Sequence, residues 1–388
     1  MTSAANQAGA RKPDFLVFSD DWGEHPSSCQ HIFRHIAKDH RVLWVNTIGM
    51  RNPTLSWTDA RKVIVKVSKM FNNRRERATE VKYEDITVCQ PLMLPGSRSR
   101  AVRAFNARSV TGKVRSLLDR LDMREPIVVA TVPNASEYPE LLSGRKLIYY
   151  CVDDFSLWPG LEADVVCDME AQLIERSDSI IAVSDTLYHR LVKSGKQTYL
   201  LTHGVDLEMF STAVESELPL LKEIPKPRVG FFGLIDGRMN WDLLIPLASR
   251  MPEISFVFAG PVDVTAGALP RIRNFHYIGK INYRELPRFI AGLGVLMLPY
   301  RTGELSEAIS PLKLKEYIAT GKQVVSTPIA EARRWSNLVC NAATVSEWVA
   351  VLSGAADRLP NLQRTPADSW LLRESWGNKA REFLEICE

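Results

Sequence analysis

Short runs of consecutive apolar residues alternate with stretches of helical periodicity along most of this chain. Phe15-Leu16-Val17-Phe18, Val42-Leu43-Trp44-Val45, Ile127-Val128-Val129-Ala130 and Leu147-Ile148-Tyr149-Tyr150 each read as a strand buried on both faces. Ser179 to Val183 and Thr198 to Leu201 extend the series. Helical stretches fall between them: one containing Ile32, Phe33, Ile36 and Ala37, then residues 164 to 176, then Thr186 to Lys193. Strand alternating with helix predicts an α/β fold built on a mostly parallel sheet. Residues 46 to 124 interrupt the rhythm, with strand candidates at Val63 to Val67 and Ile86 to Cys89 and a helix over 98 to 121.

A second α/β series follows Val214 to Arg228, a linker-like stretch rich in Glu, Pro and Lys. Its strand candidates are Val229 to Phe232, Ser255 to Ala259, Phe275 to Tyr277, Leu293 to Leu298 and Val324 to Thr327, with a fainter one at Asn337 to Cys340. Helices fill 240 to 250, 283 to 291 and 312 to 319, and further helical segments cover 345 to 353 and 366 to 386. The chain therefore divides into a domain over 12–205, a second over 228–365 and a terminal helical segment over 366–388. No regular internal repeat is visible. Open α/β domains bind ligands in the crevice outside the carboxyl ends of their strands, an arrangement shared by several functions.

The densest chemistry lies in Ser310-Pro311-Leu312-Lys313-Leu314-Lys315-Glu316-Tyr317-Ile318-Ala319-Thr320-Gly321. Ser310 suits an N-cap, Pro311 the first helical position and Gly321 the position just past the helix. The helix opens after a buried strand, where free N–H groups and the dipole favour an anion. Lys313 and Glu316, three residues apart, share one face. A lysine can meet phosphate and a carboxylate can accept from sugar hydroxyls, so the pairing points to a nucleotide-sugar pocket. A capped helix with an ion pair fits the same spacing. Gly233 and Gly237 follow the strand Val229-Gly230-Phe231-Phe232 and permit close backbone approach. They form neither the six-residue dinucleotide fingerprint nor a P-loop, which disfavours NAD and ATP. Arg238 adds a planar guanidinium able to hold a diphosphate.

In the first domain, Asp153 and Asp154 directly follow a strand and could bind hydroxyls or polarise one; strand geometry could equally send them apart. The loop Asp20-Asp21-Trp22-Gly23-Glu24-His25-Pro26-Ser27-Ser28 offers His25 as a polar contact, while Asp20 and Asp21 could stabilise the next helix or remain solvated. His203 ends a short strand and has no partners for metal binding; a cleft-support role fits it.

Composition narrows the classes. With 45% hydrophobic and 24% charged residues, 388 residues suffice for two substantial cores. No apolar run approaches a membrane span, and Met1 to Arg11 carry no signal-peptide core, so a cytoplasmic setting is expected. The six cysteines form no close pair, which argues against a disulfide framework or a metal knuckle. The net charge of +4 is unevenly spread: residues 61–82 hold eight basic groups against two acids, and 98–120 hold seven against Asp119. Leu117, Leu118, Leu121, Val102 and Phe105 give the second stretch an apolar edge. Peripheral contact with anionic lipid and a solvated helix face both account for it. No nucleic-acid module is present.

Taken together, His203-Gly204-Val205-Asp206 with Phe210, Gly230 to Arg238, Ile278-Gly279-Lys280, Ser310 to Gly321 and Val324-Val325-Ser326-Thr327-Pro328 resemble the retaining GT-B glycosyltransferases of the group 1, or GT4, family. The likeness is clearest over 178–330 and extends to the branch acting in bacterial cell-surface polysaccharide assembly. It implies two facing Rossmann-like domains, the first receiving an acceptor and the second a nucleotide sugar. The terminal segment around Ser375-Trp376 is similar to the helix that crosses back to the first domain in that fold. The resemblance further implies an NDP-sugar as donor substrate, no obligatory cofactor or metal, a glycan or lipid-linked acceptor and retention at the anomeric carbon. Gly233, Gly237, Arg238, Lys313, Leu314 and Glu316 form the implied donor set, with Glu316 on the ribose hydroxyls. Asp153, Asp154 and His25 are the candidates on the acceptor side. Three departures stand out. The family's second lysine shortly after Arg238 is absent, with Trp241-Asp242 in that neighbourhood. Ala308 occupies the first position of the family's paired-glutamate motif, with Glu304 and Glu307 nearby, and Thr131-Val132-Pro133-Asn134 lacks the N-domain histidine. An NDP-sugar epimerase and a catalytically impaired carbohydrate-binding or scaffold protein are the alternative readings.

Overall fold

The computed structural model describes residues 12–23, 27–47, 81–83, 86–94, 96, 98–158, 160–211, 216–356 and 369–388. His25, the strand expected over Val63 to Val67 and almost all of the basic stretch 61–82 lie outside them. The chain forms two compact units, Met1–Leu201 with Ala380–Glu388, and Thr202–Lys379.

The first unit carries an eight-stranded sheet. Its strands are β1 (Phe15–Ser19), β2 (Val42–Asn46), β3 (Val81–Tyr83), β4 (Ile86–Cys89), β5 (Ile127–Ala130), β6 (Lys146–Cys151), β7 (Ser179–Ala182) and β8 (Gln197–Leu200). Their order is β3-β4-β2-β1-β5-β6-β7-β8. Every pairing is parallel except β3 with β4. The central strands are buried on both faces, as helices covering a parallel sheet require. The helix Arg100–Arg120 starts at Ser99, whose side chain caps Val102 N–H, and buries Val110, Val114 and Leu117. Its Arg103 and Arg115 pair with Glu137 and Glu140, Arg98 just before it pairs with Glu162, and Phe105 is exposed.

The second unit holds β9 (Arg228–Phe232), β10 (Ser255–Ala259), β11 (Phe275–Tyr277), β12 (Val295–Leu298), β13 (Gln323–Ser326) and β14 (Cys340–Asn341), in the order β11-β10-β9-β12-β13-β14. All five pairings are parallel. From β9 the chain winds to one side and from β12 to the other, so the topological switch point lies between these two strands. That is where an open α/β sheet opens a ligand crevice. The switch in the first unit falls between β1 and β5 by the same argument.

The terminal helical stretch is two helices, Ser369–Arg373 and Trp376–Cys387, separated where Ser375 bridges Val205. The last residues of the second helix belong to the first unit. There Phe383 packs edge-on against Phe33 and Tyr150, and Lys146 Nζ donates to the carbonyls of Ile386 and Cys387 at 2.7 and 3.2 Å. Among the described residues, no helix is long and apolar enough to cross a membrane.

Candidate functional site

The two strands at the second unit's switch point stay paired only at Val229–Val295 and Gly230–Leu296. Beyond that register they separate, which strips Phe232 of a strand partner on that side. Tyr317, from the helix Leu312–Ala319, fills the gap: its hydroxyl receives the Phe232 N–H at 3.1 Å and donates to the Phe232 carbonyl at 3.2 Å. The same helix sends Lys313 into the opening. Its Nζ donates to Tyr300 Oη at 2.9 Å and sits 4.4 Å from the Phe231 ring centre. Gly233 makes room for it, because a Cβ there would lie 2.3 Å from Lys313 Nζ and the backbone holds φ at +123°. Gly233→Ala should therefore dislodge Lys313 and cost about 1–3 kcal/mol through the unfavourable backbone. A thermal midpoint equal to that of the parent would refute this account.

Other expected members of the donor set stand differently. Gly237 lacks a left-handed φ, and its N–H is taken by Thr265 Oγ1 at 3.0 Å. The N–H groups of Gly233 and Ile235 go to the carbonyls of Ala259 and Pro261, so none of these three loop amides is free for a phosphate. Arg238 also approaches Tyr300, its Cζ 5.1 Å from the ring centre, but its guanidinium already grips Asp236 at 2.6–3.0 Å. Leu314 is a core residue: its side chain is fully buried and its N–H bonds the Pro311 carbonyl. The helix start also differs from expectation. Pro311, extended at ψ 114°, is itself the N-cap and no side chain caps the helix. Ser310 is displaced one position outward because Pro311 is itself extended, so that the first helical residue is Leu312. Gly321 follows the helix with φ +70°, as its sequence position predicts.

Glu316 is one turn along from Lys313 and half-buried, accepting from Tyr283 Oη at 3.2 Å. Burial pushes its carboxyl up to about 7, against the opposing pull of the Tyr283 hydrogen bond and Lys313, and with a further push from Asp206. Asp206 in turn caps the short helix Leu207–Ser211 through Met209 N–H. Phe210 of that helix stacks on Phe232 and meets Tyr283 edge-on, so the segment beginning at His203 packs beneath the site. His203 contributes its carbonyl, which accepts from the buried Lys315 Nζ at 2.5 Å. Lys315 also donates to Thr202 Oγ1 at 2.9 Å and pairs with Glu374. Burial lowers the Lys315 ammonium, with Glu374 and Glu331 pulling the other way. Trp376 covers Gly204 and Trp348 donates to the Ala342 carbonyl, so both tryptophans are packing residues. Glu307, beside Ala308, is paired with Arg333.

In the first unit the paired aspartates part company. Asp154 caps the turn Phe155–Leu157, accepting from Ser156 N and Oγ, and lies 3.7 Å from Arg190. Asp153 accepts from Asp154 N–H. Beneath this loop Arg190 grips Glu170 through two bonds of 2.6 and 2.9 Å, and Glu170 also receives Tyr149 Oη at 2.6 Å. Nothing in the sequence spacing announces that buried network, because its members come from three separate elements. Asp20 holds its own loop: its carboxylate accepts from Ser19, Ser27 and Gln30 at 2.7–3.1 Å. Among the described residues, no group of three or more His, Cys, Asp or Glu could hold a metal ion.

No protein-family model matches the sequence. The chain is 27% identical over 217 residues to TuaH of Bacillus subtilis (strain 168), named as a teichuronic acid biosynthesis glycosyltransferase. The aligned region covers 51% of this chain and 54% of that protein, so the chain spans about half the length of the relative. Similar solved structures include Anabaena Alr3699/HepE in complex with UDP and glucose (TM-score 0.64, 12% identity, 97% of this chain and 99% of that one). Sucrose-phosphate synthase from Thermosynechococcus elongatus gives a TM-score of 0.67 at 11% identity, covering 97% of this chain and 98% of that one. A UDP-forming α,α-trehalose-phosphate synthase from Burkholderia vietnamiensis gives 0.67 at 12%, with the same coverage. At such identities the likeness speaks to fold, and the fold is GT-B: two Rossmann-like α/β domains with mostly parallel sheets.

Proposed function

We propose that this chain is a glycosyltransferase that moves a sugar from an NDP-sugar to a hydroxyl acceptor with retention. The acceptor in this reading is a lipid-linked or cell-surface glycan precursor at the inner face of the cytoplasmic membrane. The observation that carries the proposal is the switch-point crevice of the second unit. A lysine ammonium lies there against a glycine backbone, one helical turn from a half-buried carboxylate. Likeness to TuaH supports the glycan-assembly reading. In the proposed site Lys313, Arg238 and the positive end of the helix Leu312–Ala319 receive the diphosphate, and Glu316 receives the ribose hydroxyls. Negative charge grows on the departing nucleoside diphosphate, so fixed cations there lower the barrier more than they strengthen ground-state binding. Arg238 would share its guanidinium between the phosphate and Asp236. On the acceptor side Asp153 and His25 are the proposed contacts, while Asp154 shapes the loop through Ser156 and Arg190.

The test is turnover. Purified protein is incubated with a panel of UDP- and GDP-sugars and membrane-lipid extract, and mass spectrometry follows NDP release and acceptor mass gain. Both signals together, lost in Glu316→Ala, support transfer, and the anomeric configuration of the product reports retention. A rearranged sugar without NDP release would instead indicate an epimerase, and binding with neither product would indicate a carbohydrate-binding protein.

The Glu316 carboxyl near 7 gives a second expectation. The ionised form accepts from hydroxyls more strongly than the protonated one, so donor affinity should fall as pH drops from 8 through 7 to 6, and Glu316→Gln should flatten that profile. Stability runs the other way. Between its ordinary 4.5 and about 7 the folded carboxyl binds more protons than the unfolded one, so stability falls as pH rises and the cost is fully present above 7. Glu316→Gln should accordingly melt a few degrees higher than the parent at pH 8 and show no gain near pH 4.5, on the order expected for about 1 kcal/mol. Melting curves at both pH values check the sign.

A further inference from the structure

Tyr300, just past β12, is fully buried at the point where the two switch-point strands part. Its carbonyl accepts from Thr327 Oγ1 at 2.7 Å, and it bridges Met239 in an antiparallel pair. Asn240 N–H to Pro299 and Arg301 N–H to Arg238, at 2.9 and 2.7 Å, lace the same two segments together. The residue is therefore fixed by its backbone, and its ring would pack equally well as phenylalanine. The hydroxyl does something else: it accepts from Lys313 Nζ at 2.9 Å. The ring meanwhile lies 5.1 Å from Arg238 Cζ and 5.4 Å from Lys313 Nζ. Both cations of the crevice thus rest on one buried tyrosine. An ammonium has three donors, and committing one to a fixed oxygen sets the direction of the other two.

We propose that Tyr300 is a positioning residue, holding Lys313 and Arg238 as a preformed two-cation seat for the diphosphate of the donor. This rests on the donor-site reading above. The effect follows from preorganisation: a flexible lysine held in place before the ligand arrives loses less freedom on binding and is aimed when charge develops.

Isothermal titration with UDP, GDP and inorganic pyrophosphate tests it on the full chain. Lys313→Ala should weaken binding at least tenfold and Tyr300→Phe about fivefold. In the Lys313→Ala background, Tyr300→Phe should cost nothing further, because the hydroxyl then has no ammonium to hold. With a donor in hand, Tyr300→Phe should lower kcat more than it raises KM. Tyr300→Leu, which also removes the ring beneath Arg238, should be weaker than Tyr300→Phe. If the parent binds none of the probes, or Lys313→Ala binds them as the parent does, the donor-site reading falls and takes this role with it. If Lys313→Ala is impaired but Tyr300→Phe is not, or costs the same in both backgrounds, Tyr300 is a packing residue and the proposal alone is overturned.

Discussion

Lys313→Ala should lower kcat by roughly 10²–10³-fold while the protein stays folded, the range seen when one preorganised group facing a developing negative charge is removed. The side chain is half-exposed at the crevice and its ammonium contacts Tyr300 Oη and the Phe231 ring, so its loss removes charge rather than core volume. Lys313→Arg should rescue little. Gly233 leaves only the space of a missing Cβ for the ammonium, and a planar guanidinium neither fits that space nor donates along the same line. Steady-state kinetics with the donor identified by turnover decide it. A Lys313→Ala variant within threefold of the parent would move the leaving-group role to Arg238 or to the helix N-terminus.

The largest effect on stability should come two residues later. Lys315→Ala removes a buried ammonium that holds Thr202, the His203 carbonyl and Glu374, leaving Glu374 with Lys379 at 3.5 Å. Burial would raise the Glu374 carboxyl, and Lys315 followed by Lys379 holds it below its ordinary value instead. Breaking such a pair from one side costs about 3–5 kcal/mol, because the remaining charge stays buried. Pairing Lys315→Met with Glu374→Gln should recover much of the loss. Urea unfolding followed by intrinsic tryptophan fluorescence, to which Trp241, Trp335, Trp348, Trp370 and Trp376 of the second unit contribute, measures it. Equal midpoints for parent and Lys315→Ala would show that water replaces the lysine at little cost.

Much of this architecture could be read from the chain because parallel strands buried on both faces leave uninterrupted apolar runs. Ile127–Ala130 and Ile86–Cys89 emerge with the expected bounds, and the helix Leu312–Ala319 spans the residues its pattern indicates. Gly233 was legible for the same local reason, since a glycine after a buried strand signals close approach. What escaped depends on which strands become neighbours. Tyr300 and Tyr283 reach Lys313 and Glu316 only once β12 lies beside β9 and the turn after β11 folds over. Asp236 sits two residues from Arg238, yet its claim on that guanidinium is a matter of turn geometry that spacing does not encode. For the adjacent Asp153 and Asp154 the sequence leaves acting together and parting both open, and the turn that follows makes Asp154 a cap.

The division of the chain has a consequence for the order of assembly on the ribosome. Thr202–Lys379 is one uninterrupted stretch, whereas the first unit is assembled from Met1–Leu201 and Ala380–Glu388. Phe33 and Tyr150 therefore wait for Phe383, and Lys146 for the carbonyls of Ile386 and Cys387, until the whole second unit has been made. Although its sheet is synthesised first, the first unit is the last to close, and a nascent chain halted near residue 379 should expose an apolar surface that chaperones can recognise.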